Sequence, residues 1–129
     1  MSITGSFQPA DQVVIPVQGT DREYYAQQWA VEFAAAIGIP VKALHVGNGA
    51  QDDDPEVFRY IQRLADKHSV TLTTRTLHGD VVEELAAELT PRDLVVIGTR
   101  KLAHHYHVGS VAAALIEKAP CPVQVVRLE

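Results

Sequence analysis

Residues 93–127 read DLVVIGTRKLAHHYHVGSVAAALIEKAPCPVQVVR. After the leading aspartate, residues 94–97 are wholly apolar, the pattern of a strand buried on both faces. Further on, Val108, Val111, Ala112, Leu115 and Ala119 recur at steps of about three or four, which predicts an amphipathic helix. Residues 123–126 then form a second short apolar run and predict the last strand. A strand, a helix and a strand in this order define a crossover between parallel strands, and such crossovers are right-handed. The connection at residues 98–110 begins and ends with glycine and serine signals, so it is expected to be a loop.

The same alternation extends backwards. Residues 13–17, VVIPV, predict the first strand, and Thr20 with Glu23 forms a capping box for the helix after it. Ala26, Trp29, Ala30, Phe33, Ala34 and Ile37 mark that helix's inner face, with Trp29 assigned to the core. Gly38 stops it and Pro40 lies just beyond. Residues 41–46 predict a second strand. Asp54 and Pro55 start a second helix, whose inner face is Val57, Tyr60, Ile61, Leu64 and Ala65. Residues 70–77 mix apolar residues with threonines and Arg75, as a half-exposed strand does. Asp80 with Glu83 repeats the capping pattern, Val82, Leu85, Ala86 and Leu89 line a third helix, and Pro91 ends it.

Five strands alternating with four helices predict one open parallel sheet with helices on both faces. The two wholly apolar strands belong in the centre, the threonine-rich third at one edge, and the last, with Gln124 and Arg127, at the other. The order 3-2-1-4-5 meets these demands. It places a reversal between strands 1 and 4, and ligands of open α/β sheets bind beside such a reversal. Gln18–Thr20 and Gly98–Lys101 are thereby expected at one crevice.

The chain of 129 residues suits a single domain, residues 1–129, with a core that needs no metal or disulfide. A lone cysteine, Cys121, excludes an internal disulfide and fits a reducing compartment; between prolines at the start of a strand it reads as a packing residue. The first residues lack the basic and apolar segments of a signal peptide, so a cytoplasmic location is expected. A formal charge of −5 argues against nucleic-acid binding through a broad basic field, and no apolar run is long enough for a membrane span. No nucleophile elbow, Walker lysine loop, zinc-protease helix or paired acid and base is present, so no catalytic residue is assigned.

Gly98 and the Gly109–Ser110 pair lie where backbone amides and a helix start would meet a phosphate, with Arg100 and Lys101 adding charge. A glycine turn with a serine cap accounts for the same residues without a ligand. His104, His105 and His107 offer imidazoles for a transition metal or for pH sensing, but no cysteine or carboxylate beside them completes a tetrahedral set. A solvated loop is the simpler reading of these histidines. It is also the simpler reading of residues 52–54.

The segments DLVVIGTRK and VGSVAAALIEKAPCPVQVVR, the pair His45–Val46 and HGDVVEEL at 78–85 resemble the universal stress protein family. The resemblance covers nearly the whole chain and implies the 3-2-1-4-5 sheet of an adenine nucleotide alpha hydrolase-like fold. It implies a site for ATP, AMP or another adenine nucleotide at Pro16, Val17, Gln18, Val46, Gly98, Lys101, Gly109, Ser110 and Val111. It also implies a homodimer through the last strand, Val123, Gln124, Val125, Val126 and Arg127. The family's ATP-binding members carry Gly-x2-Gly-x9-Gly-Ser/Thr, and this chain departs from that pattern. Lys101 stands at the second glycine, seven residues separate it from Gly109, and Gln18 stands where binders carry aspartate. The resemblance thus implies a regulatory binding module with a modified or lost nucleotide site, the alternative being an ATP- or AMP-binding stress protein with slow ATP hydrolysis.

Overall fold

A computed structural model of the chain describes residues 10–18, 24–47, 55–102, 105–107 and 110–127, with the backbone alone at 100–102, 105–107 and 110. The strands are β1 (Gln12–Pro16), β2 (Val41–Gly47), β3 (Leu72–His78), β4 (Asp93–Leu102), β5 (His105–His107) and β6 (Val123–Arg127). The helices are α1 (Tyr24–Ile37), α2 (Arg59–His68), α3 (Val81–Ala87) and α4 (Ser110–Lys118).

Five strands pair in parallel in the order β3-β2-β1-β4-β6, the order expected for the five strands read from the sequence. The apolar runs explain the centre: Val13, Val14 and Ile15 of β1 and Val95 and Val96 of β4 are buried. β3 pairs with β2 alone, and its Thr73, Thr74 and Arg75 are exposed, as an edge position permits. Right-handed crossovers send α1 and α2 to one face and α3 and α4 to the other. The alternation of side chains along the strands then divides the core in two. Val13, Ile15, Val17, Ala30, Ala34 and Ile61 pack on the first face, and Val14, Leu44, Leu85, Ile97 and Leu115 on the second.

Local chemistry sets the element ends. Gly38 adopts φ +76°, a left-handed conformation that glycine reaches without strain, and its N–H donates to the Ala34 carbonyl at 2.8 Å to close α1. The Asp80 carboxylate accepts the Glu83 N–H at 3.0 Å, the expected cap of α3. The box formed by Thr20 and Glu23 lies outside the described residues.

Four expectations need correction. Residues 98–102 are not loop: β4 continues to Leu102 and turns back on β5, so that Arg100, Lys101 and Leu102 oppose His107, Tyr106 and His105. Backbone ladders need no apolar residues, which is why this sixth strand leaves no hydrophobic pattern. The second helix opens with a 3-10 turn, Pro55–Phe58, before α2. α3 ends at Ala87, and the buried Leu89 lies beyond it in a turn where Thr90 N–H donates to the Asp93 carboxylate at 2.8 Å. Trp29 is only half-buried, with its indole stacked on Phe33 at a centroid distance of 5.1 Å.

Candidate functional site

The central ladder opens at its carboxyl end. β1 stays joined to β2 through Pro16↔Leu44, and the Val17 N–H donates to the Leu44 carbonyl at 2.7 Å. Pairing of β1 with β4 stops earlier, at Val14↔Val95, although β4 remains joined to β6 through Thr99↔Arg127. Beyond Val14 and Val95 the two central strands therefore have no rungs between them. Pro16 contributes to the break, since it has no N–H to donate. The opening falls where the strand order reverses, between connections that leave for opposite faces, and this is where such sheets bind ligands.

His45 fixes the β1 side of this opening. Its ring is buried, and Nδ1 lies 2.7 Å from the Val17 carbonyl oxygen. A carbonyl oxygen only accepts, so Nδ1 carries the hydrogen in this contact. The ring meets Phe58 edge-on at a centroid distance of 6.4 Å, which ties the strand end to the 3-10 turn before α2. Val17 is thus held through both its N–H and its C=O. In the sequence His45 stands out only as part of the strand-end pair His45–Val46. Its signal was a polar side chain in a strand otherwise buried along its carboxyl half.

The implied site residues divide accordingly. Pro16, Val17, Gln18, Val46 and Gly98 lie on the carboxyl halves of β1, β2 and β4 or just past them. Pro16 and Gly98 are half-buried, and Gln18 is exposed. Val17 and Val46 are core side chains on opposite faces of the sheet, so their approach to a ligand is through the backbone. Gly98 pairs with Val126, and the buried Thr99 hydroxyl donates weakly to the same Val126 carbonyl at 3.5 Å. Lys101 is carried beyond the parallel sheet into the β4–β5 hairpin, where its backbone opposes Tyr106. Ser110 begins α4, and Val111 beside it is exposed. Gly109, His104 and residues 52–54 lie outside the described residues. His105 and His107 are in β5.

Other polar features lie elsewhere. A cavity of about 230 Å³ is open between Tyr24 and Gln27 of α1 and Glu56, Arg59, Tyr60 and Arg63, but no crevice residue lines it. Its rim is tightened by the stacked rings of Tyr24 and Tyr60 and by the Arg59–Glu56 ion pair, 2.6 Å apart. At the amino end of β4, buried Asp93 accepts from Gln12 Nε2 at 3.0 Å as well as from Thr90 N–H. Cys121 is half-buried, and burial, reinforced by the Asp93 carboxylate, pushes its thiol up from the ordinary value. That is the shift of an inert thiol, not of a nucleophile. Among the described residues no group of three or more histidine, cysteine or acidic side chains could hold a metal.

An open, doubly wound parallel sheet whose strand order reverses between β1 and β4 defines an α/β fold of the class that binds ligands beside such a reversal. Within that class the chain belongs to the universal stress protein family, whose model matches residues 53–127. A universal stress protein of Methanocaldococcus jannaschii is 27% identical over 137 residues, covering 89% of this chain and 81% of that one. The fold is shared with a universal stress protein solved in complex with cAMP, at a TM-score of 0.76 and 23% identity over 95% of this chain and all of that one. It is shared also with the universal stress protein from Archaeoglobus fulgidus in complex with dAMP, at a TM-score of 0.68 and 20% identity, with 95% and 100% coverage. Among the described residues no helix is long and apolar enough to cross a membrane.

Proposed function

We propose that this chain is a universal stress-type regulatory module of the cytoplasm that binds an adenine nucleotide between β1 and β4, through a site modified at its phosphate end. The observation that carries the reading is the early end of β1–β4 pairing at Val14↔Val95, which parts the two central strands at the reversal of the sheet. The complexes of two structurally similar family proteins with cAMP and dAMP support the choice of an adenine ligand. Modification at the phosphate end is supported by Lys101 and the hairpin it enters. Binding, rather than turnover, is the regulatory event.

The module works as a homodimer joined through β6. Among the described residues β6 pairs only with β4, so its other edge offers backbone groups to a second copy. Val123, Gln124, Val125, Val126 and Arg127 form this edge.

Denaturing the purified protein and chromatographing what it releases tests the ligand, together with calorimetric titration by AMP. Release of an adenine nucleotide or saturable heat is expected; neither is compatible with an empty site. Light scattering at micromolar concentration tests the dimer, and a monomer contradicts it.

A further inference from the structure

We infer that the cavity between the start of α1 and the start of α2 is a binding site for a small planar monoanion, a carboxylate carried on an aromatic ring. It is separate from the opening between β1 and β4, none of whose residues line it. Helical spacing assembles its parts. Tyr24 and Gln27 share one face of α1, while Glu56, Tyr60 and Arg63 follow one another at steps of three or four from the 3-10 turn into α2. Elsewhere the contact between these two helices is filled, with Ala30, Ala34, Ile61 and Leu64 in the buried core. At the helix starts polar and aromatic side chains replace the aliphatic ones, and about 230 Å³ stays open between them.

Charge narrows the ligand first. Glu56 and Arg59 neutralise each other in their ion pair, 2.6 Å apart. Arg63 lines the same cavity and has no carboxylate partner among the described residues. One uncompensated guanidinium calls for one negative charge, and its planar fork matches a carboxylate through two parallel hydrogen bonds. A phosphate dianion is a poorer match, because the Glu56 carboxylate also lines the space.

Shape narrows it further. The rings of Tyr24 and Tyr60 are stacked 3.8 Å apart and 13° from parallel, so they bound the cavity with flat aromatic surface. Another planar ring packs on such a surface by offset or edge-on contact. Gln27 is 1% exposed and lines the cavity from a buried position, where its amide can both donate and accept. The volume is below the roughly 300–1,000 Å³ of sites for drug-sized molecules, which suits a single substituted ring.

Titration of the full chain with benzoate, followed through backbone amide resonances, tests the inference. Saturable shifts at Tyr24, Gln27, Tyr60 and Arg63 are expected, with a Kd below about 1 mM. Three analogues isolate the recognised features: benzamide lacks the charge, cyclohexanecarboxylate lacks the flat ring, and phenyl phosphate carries a second charge. Each is expected to bind at least about threefold more weakly than benzoate. Arg63 is exposed, so Arg63→Gln is expected to keep the fold, checked by circular dichroism, and to weaken benzoate about tenfold. AMP is expected not to displace benzoate. Absence of saturable shifts at these residues overturns the inference, as does equal or tighter binding of any analogue. Full benzoate affinity in a folded Arg63→Gln variant, or displacement by AMP, overturns it too.

Discussion

The Nδ1 atom of His45 lies 2.7 Å from the carbonyl oxygen of Val17, so a side chain joins the carboxyl ends of β1 and β2 where the central ladder opens. The contact keeps the last residues of β1 seated on β2 after their pairing with β4 has ceased. It leaves the opening itself to the strand register.

Replacing His45 with alanine removes this donor and leaves a cavity against Phe58. A loss of about 2–4 kcal/mol is expected in urea unfolding. His45→Asn places an amide nitrogen near the position of Nδ1 and is expected to restore about 1 kcal/mol of that loss. Equal stability of the alanine variant and the unaltered protein would show that the contact contributes nothing.

Asp93 presents a different buried polar contact, at the opposite end of the sheet. Its two oxygens accept from Gln12 and from the Thr90 N–H, so Asp93→Ala strands both donors and is expected to cost about 2–3 kcal/mol. Asp93→Asn retains one acceptor oxygen and is expected to cost less. Thermal unfolding of the pair checks the order; an asparagine variant less stable than the alanine one contradicts it.

The cap of α3 gives a smaller expectation. Asp80→Ala removes the acceptor for the Glu83 N–H and should lower stability by about 1 kcal/mol, while Asp80→Asn should stay close to the unaltered protein. Chemical denaturation resolves a difference of this size.

The pH response of Cys121 follows from its surroundings. Burial favours the neutral thiol, so the folded pKa lies above the unfolded one. The associated stability is complete below the unfolded value and is lost as pH rises through the folded one. Alkylation followed by mass spectrometry across pH should show its midpoint above the ordinary thiol value of about 8.5. A midpoint at or below that value would contradict the burial argument.

Much of the architecture was legible because burial writes itself into local patterns. The apolar runs at 13–17 and 94–97 announced central strands, and Thr73, Thr74 and Arg75 announced an edge. The site residues rest on the motif resemblance alone, with its departures at Gln18 and Lys101. His45 was visible but not interpretable, since a polar residue in a buried strand implies a partner without naming it.

By itself, then, the sequence determined the succession of the four helices and five parallel strands, the sheet with its central and edge strands, and the family. Those properties depend on periodicity and chemistry within short windows. Only the tertiary structure decided where β1 and β4 part, what His45 holds, and that residues 100–102 continue β4 and pair with β5. Each of those depends on register between distant backbone segments, and backbone hydrogen bonds are available to almost every residue type, so they leave little trace in side-chain order.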